Sequence, residues 1–171
     1  MWGVIGGRGI GLELGSVYAR LGTQVLVVEF LDRIIAGMDA DCSRELMKSL
    51  KKIGVNFHLR HAVTDVTPSK SKVKVVAKSR DDESKTLSWE ADYCLVAIGR
   101  KPYTDQLGLE NIGITPDEKG RIPVDDHLQT SVPGIYAIGD VVKGPMLAHK
   151  AEEEGVFVAE IMAGEKKPIP Y

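Results

Sequence analysis

Four glycines, an arginine and one acid carry the first chemistry that can be read from this chain. The stretch "VIGGRGIGLELG", residues 4 to 15, places Gly6 and Gly11 five apart, with Arg8 between them. A G-x-G-x-x-G turn between a strand and a helix lets backbone N–H groups cradle a pyrophosphate. Its first glycine makes the tight turn, its second lets the backbone approach the phosphates, and its third packs helix against strand. Read from Gly6, the first and third glycines are present and the second is Arg8; read from Gly7, Gly9 is present and Leu12 replaces the third. An acid is expected about 20 residues further on, to accept hydrogen bonds from ribose hydroxyls, and Glu29 stands there at the end of an apolar run. A carboxylate at that place repels a 2′-phosphate, so the pattern favours NAD over NADP. Arg33 is read as a surface arginine and not as a phosphate ligand.

These residues need a strand, a helix and a second strand to hold them. Residues 3 to 5 read as a short strand, and Ile10, Leu14, Val17, Tyr18 and Leu21 recur at helical spacing, an apolar face expected to pack inward. Gly22 closes that helix, and "QVLVVE" follows as a strand covered on both faces. The whole is a βαβ unit of about 30 residues. Asp39 to Ile53 reads as a second helix ended by Gly54, and "VNFHLRHAV" as a third strand. "SKVKVVAK" and "KTLSWEA", joined by the solvated tip "SRDDES", read as a β-meander that replaces a crossover helix. "YCLVAIG" returns to the buried sheet.

Loops with Gly113, Pro116, Gly120 and Pro123 suggest a boundary near residue 115, dividing the chain into residues 1–114 and 115–171. "GIYAIGD" and a helix from about Met146 to Ala163 follow, with Ala151, Gly155, Val158 and Met162 as its packed face. The tail "GEKKPIPY" offers no partner element, and the abrupt start at Met1 also reads as a piece of something longer. The expected fold class is α/β: a Rossmann-like parallel sheet with a β-meander crossover, plus part of a second α/β unit.

Composition sets the outer limits. With 171 residues, 27% charged residues and a net charge of −2, the chain does not read as a general nucleic-acid or anionic-membrane binder. Its longest apolar run, Val25 to Leu31, is broken by Glu29 and falls short of the ~18–20 residues of a membrane helix. Cys42 and Cys94 have no C-x-x-C or metal-ligand spacing and read as reduced structural thiols, and no metal site is expected.

Over nearly its whole length the chain resembles the class I pyridine-nucleotide disulfide oxidoreductases, which are flavin disulfide reductases, and within them the dihydrolipoamide dehydrogenases. The matching stretches are "GLELGSVYARLG", "VVEFLDRI", "AIGRKPYT", "LGLENIGI", "TSVPGIYAIGDVVKGPMLAHKAEEEG" and "AEIMAG". The resemblance implies an NAD-binding domain followed by the C-terminal half of a discontinuous FAD-binding domain. NAD and FAD are thus the implied cofactors.

It implies that Gly6, Gly7, Arg8, Gly9, Ile10, Gly11, Leu12 and Glu13 line the pyrophosphate and nicotinamide path, with Glu13 near nicotinamide and flavin. The alternative for Glu13 is an acid favoured by the helix dipole. Val63 would pack on adenine, or serve simply as a core valine, and Gly99 would let the sheet edge approach the nucleotide. Asp140 would accept hydrogen bonds from the FAD ribityl chain. Met146, Leu147, Ala148 and His149 would begin a helix aimed at the flavin pyrimidine edge. His149 is not read as the catalytic base, because the family places that base on another domain.

No catalytic group is assigned to this chain, since the family's C-x-x-x-x-C disulfide and its His–Glu pair do not occur in it. The parent activity implied is dihydrolipoyl dehydrogenase, with the chain alone inactive. The parent would be a homodimer serving lipoyl domains of 2-oxo acid dehydrogenase complexes, in a mitochondrial matrix or a bacterial cytoplasm. Two alternatives stay open: another disulfide reductase of the glutathione or mercuric type, and a non-catalytic nucleotide-binding module. For Arg8 two readings remain. It crowds the pyrophosphate, or it swings out and offers its guanidinium to the phosphates.

Overall fold

A computed structural model describes residues 1–165, so the end of "GEKKPIPY" lies outside the described residues. The chain divides after Gly99 into two units, taken here in turn. The division falls earlier than the expected 114/115, because Leu109 and Ile114 pack with Ile122, Ala137 and Val142.

In the first unit β1 (Trp2–Ile5), α1 (Gly9–Arg20), β2 (Val25–Val28), α2 (Ala40–Lys52), β3 (Asn56–His58) and β7 (Tyr93–Val96) build a parallel sheet of order β3-β2-β1-β7 with two helices. Between β3 and β7 run β4 (His61–Pro68), β5 (Val73–Ser79) and β6 (Thr86–Ala91), an antiparallel three-stranded sheet. All four residues of β2 are buried because its alternate side chains meet different partners. Val25 and Val27 join Val4, Leu12, Ile34 and Leu50 on the helix side. Leu26 and Val28 join Ala77 of the meander on the other. That two-sided cover is why the run is continuously apolar.

Three local expectations differ from the structure. The face of α1 turned to the sheet is Gly11, Leu12 and Gly15, while Ile10, Leu14, Val17 and Leu21 are 40–74% exposed. Close helix–strand approach decides this: a Cβ on Gly11 would strike the Gly6 carbonyl oxygen and come within 3.0 Å of Val4 Cγ1. "VNFHLRHAV" is two strands, split where Arg60 takes a left-handed φ of 55° and turns the chain from the parallel sheet into the meander. β7 is an edge strand, with Tyr93 and Val96 exposed.

In the second unit "GIYAIGD" forms one bridge, Gln129 to Tyr136, and a 3-10 turn at Gly139–Val141. The helix α3 spans Ala148–Met162 and buries Lys150, Glu154, Phe157 and Val158. Of the expected face only Val158 is buried, while Met162 is 62% exposed, because the inward face carries the Lys150–Glu154 ion pair beside an apolar cluster of Phe157, Val158 and Leu128. No helix of the described residues is long and apolar enough to cross a membrane.

Candidate functional site

The turn after β1 is shaped by what glycine alone permits. Gly6 has φ of 105°, and a Cβ there would collide with the Ala97 carbonyl. The Gly6 amide donates to Val28 O at 2.9 Å, and the Gly7 carbonyl accepts from Ile35 N at 2.7 Å, so both neighbouring segments hold the turn. Arg8, the N-cap of α1, has φ −98° and ψ 179°, extended backbone that any residue adopts. The first helical bond of α1 is Leu12 N–H to Arg8 O, so the amides of Gly9, Ile10 and Gly11 precede the ladder at the positive end of the dipole.

Glu29 lies at the carboxyl end of β2 and is 7% exposed. Its Oε2 accepts from Gly7 N–H, and its Oε1 accepts from Leu31 N–H at 2.8 Å. A buried carboxylate with an amide on each oxygen is satisfied, and it ties the glycine turn to the loop after β2.

Gly6, Gly7, Arg8, Glu29 and Val63 line one cleft of about 580 Å³. Of the other residues expected there, Gly9, Ile10 and Glu13 are exposed on the first turns of α1, and Gly11 and Leu12 are buried beneath them; none of the five lines the cleft. Gly99, with φ 120°, is overlain by the Arg8 side chain: a Cβ there would sit 3.2 Å from Nη1.

The structure adds lining that motif reading missed, namely Phe30, Leu31, His61 and Val66, together with Arg33. Phe30 is held by Arg80, whose Cζ lies 3.9 Å from the ring centroid and whose Nη1 donates to Phe30 O at 3.2 Å. Arg33 donates to Ala36 O at 3.0 Å. The His61 ring meets His58 edge-on at 5.4 Å, and burial, with His61 nearby, pushes the His58 pKa down. The signal that could have found these residues is positional: they follow the carboxyl ends of β2 and β3, where ligands of parallel sheets bind.

In the second unit Asp140 is exposed, 3.7 Å from Arg100 Nη1. The preceding Gly139 is gripped from α3: its N–H donates to Glu154 Oε2 at 2.7 Å, and its carbonyl accepts from Lys150 Nζ at 3.3 Å. Met146 is half-buried, Leu147, Ala148 and His149 are exposed, and α3 starts at Leu147 without a side-chain cap. Its first helical bond is Ala151 N–H to Leu147 O, so the amides of Ala148, His149 and Lys150 come before the ladder. Cys42 and Cys94 are unpaired, and burial pushes the Cys94 thiol up.

The pyridine nucleotide-disulphide oxidoreductase family model matches residues 2–155. A dihydrolipoyl dehydrogenase of Cupriavidus necator is 50% identical over 99% of this chain and 35% of its own length. The mitochondrial dihydrolipoyl dehydrogenase of Dictyostelium discoideum is 51% identical over 92% of this chain and 32% of its own. Among solved structures, the HOCl-induced flavoprotein disulfide reductase RclA of Escherichia coli superposes with a TM-score of 0.85 at 30% identity, covering 98% of this chain and 37% of that one. LpdA of Mycobacterium tuberculosis gives 0.85 at 31%, covering 98% and 36%. The chain thus spans about a third of the length of the relatives it matches. Family model, relatives and parallel-sheet architecture agree: the chain belongs to the pyridine nucleotide-disulphide oxidoreductase family.

Proposed function

We propose that the chain is the NAD-binding part, with an adjoining flavin-contacting segment, of a dihydrolipoyl dehydrogenase. The observation that carries this is the cleft at the carboxyl ends of β1 and β2, which gathers Gly6, Gly7, Arg8 and Glu29. The cradle fits a dinucleotide: side chains are excluded at Gly6 by the Ala97 carbonyl, and an exposed arginine stands at the helix entrance. Gly6, Gly7 and the α1 amides would hold the pyrophosphate, and Glu29 the adenosine ribose. Asp140 and the α3 entrance fit the acceptor and donor needs of a flavin's ribityl chain and pyrimidine edge. When bound, flavin and nicotinamide supply hydride chemistry. The residues of this chain bind and orient, and the Glu29 carboxylate rejects a 2′-phosphate.

The overall reaction of the parent would be oxidation of dihydrolipoamide with reduction of NAD. Neither Cys42 nor Cys94 has the spacing of an exchanging dithiol, so binding, not turnover, is assigned to this chain. The names of the relatives support a dihydrolipoyl substrate, and one of them is mitochondrial; a homodimeric parent serving lipoyl domains of 2-oxo acid dehydrogenase complexes, in a mitochondrial matrix or a bacterial cytoplasm, belongs to the same proposal. Likeness to RclA favours a second reading, a flavin disulfide reductase with another disulfide substrate.

Titration of the purified chain with NADH and NADPH, followed by nucleotide fluorescence, tests the binding claim. Saturable NADH binding that Glu29→Ala weakens is expected, with NADPH at least tenfold weaker. Equal affinity for the two nucleotides, or no saturation by NADH, would overturn it.

A further inference from the structure

We infer that His61 sets the base specificity of the cleft, its Nε2 accepting a hydrogen bond from the exocyclic amino group of adenine. This rests on the dinucleotide reading above and goes beyond it, from cofactor class to the group that reads the base.

The left-handed Arg60 delivers His61 to the cleft at the start of β4. Its Nδ1 lies 2.6 Å from Leu59 O. A carbonyl only accepts, so Nδ1 carries the hydrogen, and in the neutral imidazole Nε2 is left as a lone-pair acceptor. Among the described residues Nε2 has no hydrogen-bond partner, and it is not one of the buried unpartnered atoms. It therefore opens to space from a half-buried ring whose plane is steadied by His58.

His61 lines the same cleft as the groups assigned to phosphate and ribose, which leaves the base to be read by the rest of that lining. The glycine turn and Arg8 mark the phosphate end and Glu29 the ribose. Leu31, Val63 and Val66 add apolar side chains to the same lining, on which a flat ring can rest. A purine held there keeps a polar edge that needs partners. Of the polar side chains in the lining, Arg8 and Arg33 only donate, and Glu29, tied by two amides, has its remaining acceptor capacity assigned to the ribose. The imidazole is the remaining side-chain acceptor. An acceptor facing position 6 takes the amino group of adenine and opposes the carbonyl oxygen of hypoxanthine or guanine, so one imidazole tautomer selects the base.

The test compares NADH with reduced nicotinamide hypoxanthine dinucleotide, in which that amino group is a carbonyl oxygen, on the full chain and on His61→Phe. The unaltered chain should prefer NADH roughly tenfold, the worth of one hydrogen bond lost with its acceptor left unpaired. His61→Phe should bring the preference below about twofold by lowering NADH affinity. On the unaltered chain alone, the ¹⁵N resonance of His61 Nε2 should move on adding NADH and stay still with the hypoxanthine analogue, a readout independent of the variant's folding. A preference retained by His61→Phe, a still resonance, or NADH binding with no preference would overturn the inference and leave the nucleotide reading standing. No binding of NADH would overturn both.

Discussion

Lys150 and Glu154, one turn apart on α3, form a buried ion pair of 2.7 Å that closes around the backbone of Gly139. The two side chains are 6% and 2% exposed, so neither charge is paired with bulk water. Removing one partner of such a pair costs about 3–5 kcal/mol, because the other is left charged and buried. Lys150→Met should therefore lower the urea midpoint of the second unit sharply. Lys150→Met combined with Glu154→Gln should recover part of the loss, since the neutral amide oxygen still accepts from Gly139. A single variant within about 1 kcal/mol of the parent would show that water reaches the pair.

The glycines of the turn make a contrast inside five residues. Alanine at Gly11 would drive its Cβ into the Gly6 carbonyl, and neither backbone can yield without opening the βαβ unit. We expect a loss of more than about 2 kcal/mol, the scale of an overpacked core site. Alanine at Gly9 meets nothing closer than the Glu13 carboxylate at 3.8 Å, and it should stabilise α1 by about 0.4–1 kcal/mol through the unfolded chain. Denaturant unfolding of the two variants checks the contrast; equal effects would sink the close-packing account.

What could be read beforehand follows the same division. Gly6, Gly11 and Glu29 are legible because backbone geometry demands them at fixed spacing. The buried face of α1 is not legible from hydropathy, which follows large side chains, whereas here Gly11 and Gly15 make the contact. Arg60 gives no letter-level sign of its left-handed turn, so the sequence reads as one strand where there are two, and nothing in it marks His61 at the join. Lys150 and Glu154 look like any solvated i,i+4 pair in "HKAEEEG". Their burial depends on the Gly139 turn, which lies eleven residues before Lys150.

Acid should weaken the first unit through Asp92. Hydrogen bonds from Lys72, then from the N-terminal ammonium, hold its carboxyl at about 2, below the ordinary 3.8. A carboxyl depressed in the folded state contributes stability above its unfolded pKa and loses it as pH falls through the folded one. The window is therefore between about pH 4 and pH 2. Melting curves of the parent and Asp92→Asn should run apart above pH 4 and converge near pH 2. A constant gap across that range would remove Asp92 from the acid response.

Arg8 decides how well the cleft holds phosphate. Its backbone is extended, so the turn itself does not suffer from the missing glycine. Its side chain is exposed, lies over Gly99 and has no hydrogen bond or ion pair among the described residues. A long guanidinium free to swing, at the positive end of α1, can pair bidentately with a pyrophosphate oxygen pair. We therefore expect Arg8→Gly to weaken NADH roughly tenfold at low salt, the scale of a charge-assisted bond, and to flatten the salt dependence of binding. Arg8→Lys should fall between the two, keeping the charge and losing the fork. Crowding predicts the opposite order, with Arg8→Gly tightest at every salt concentration, because the backbone could then approach the phosphates as a second glycine allows. The sign of that one change separates an arginine that blocks the path from one that serves it.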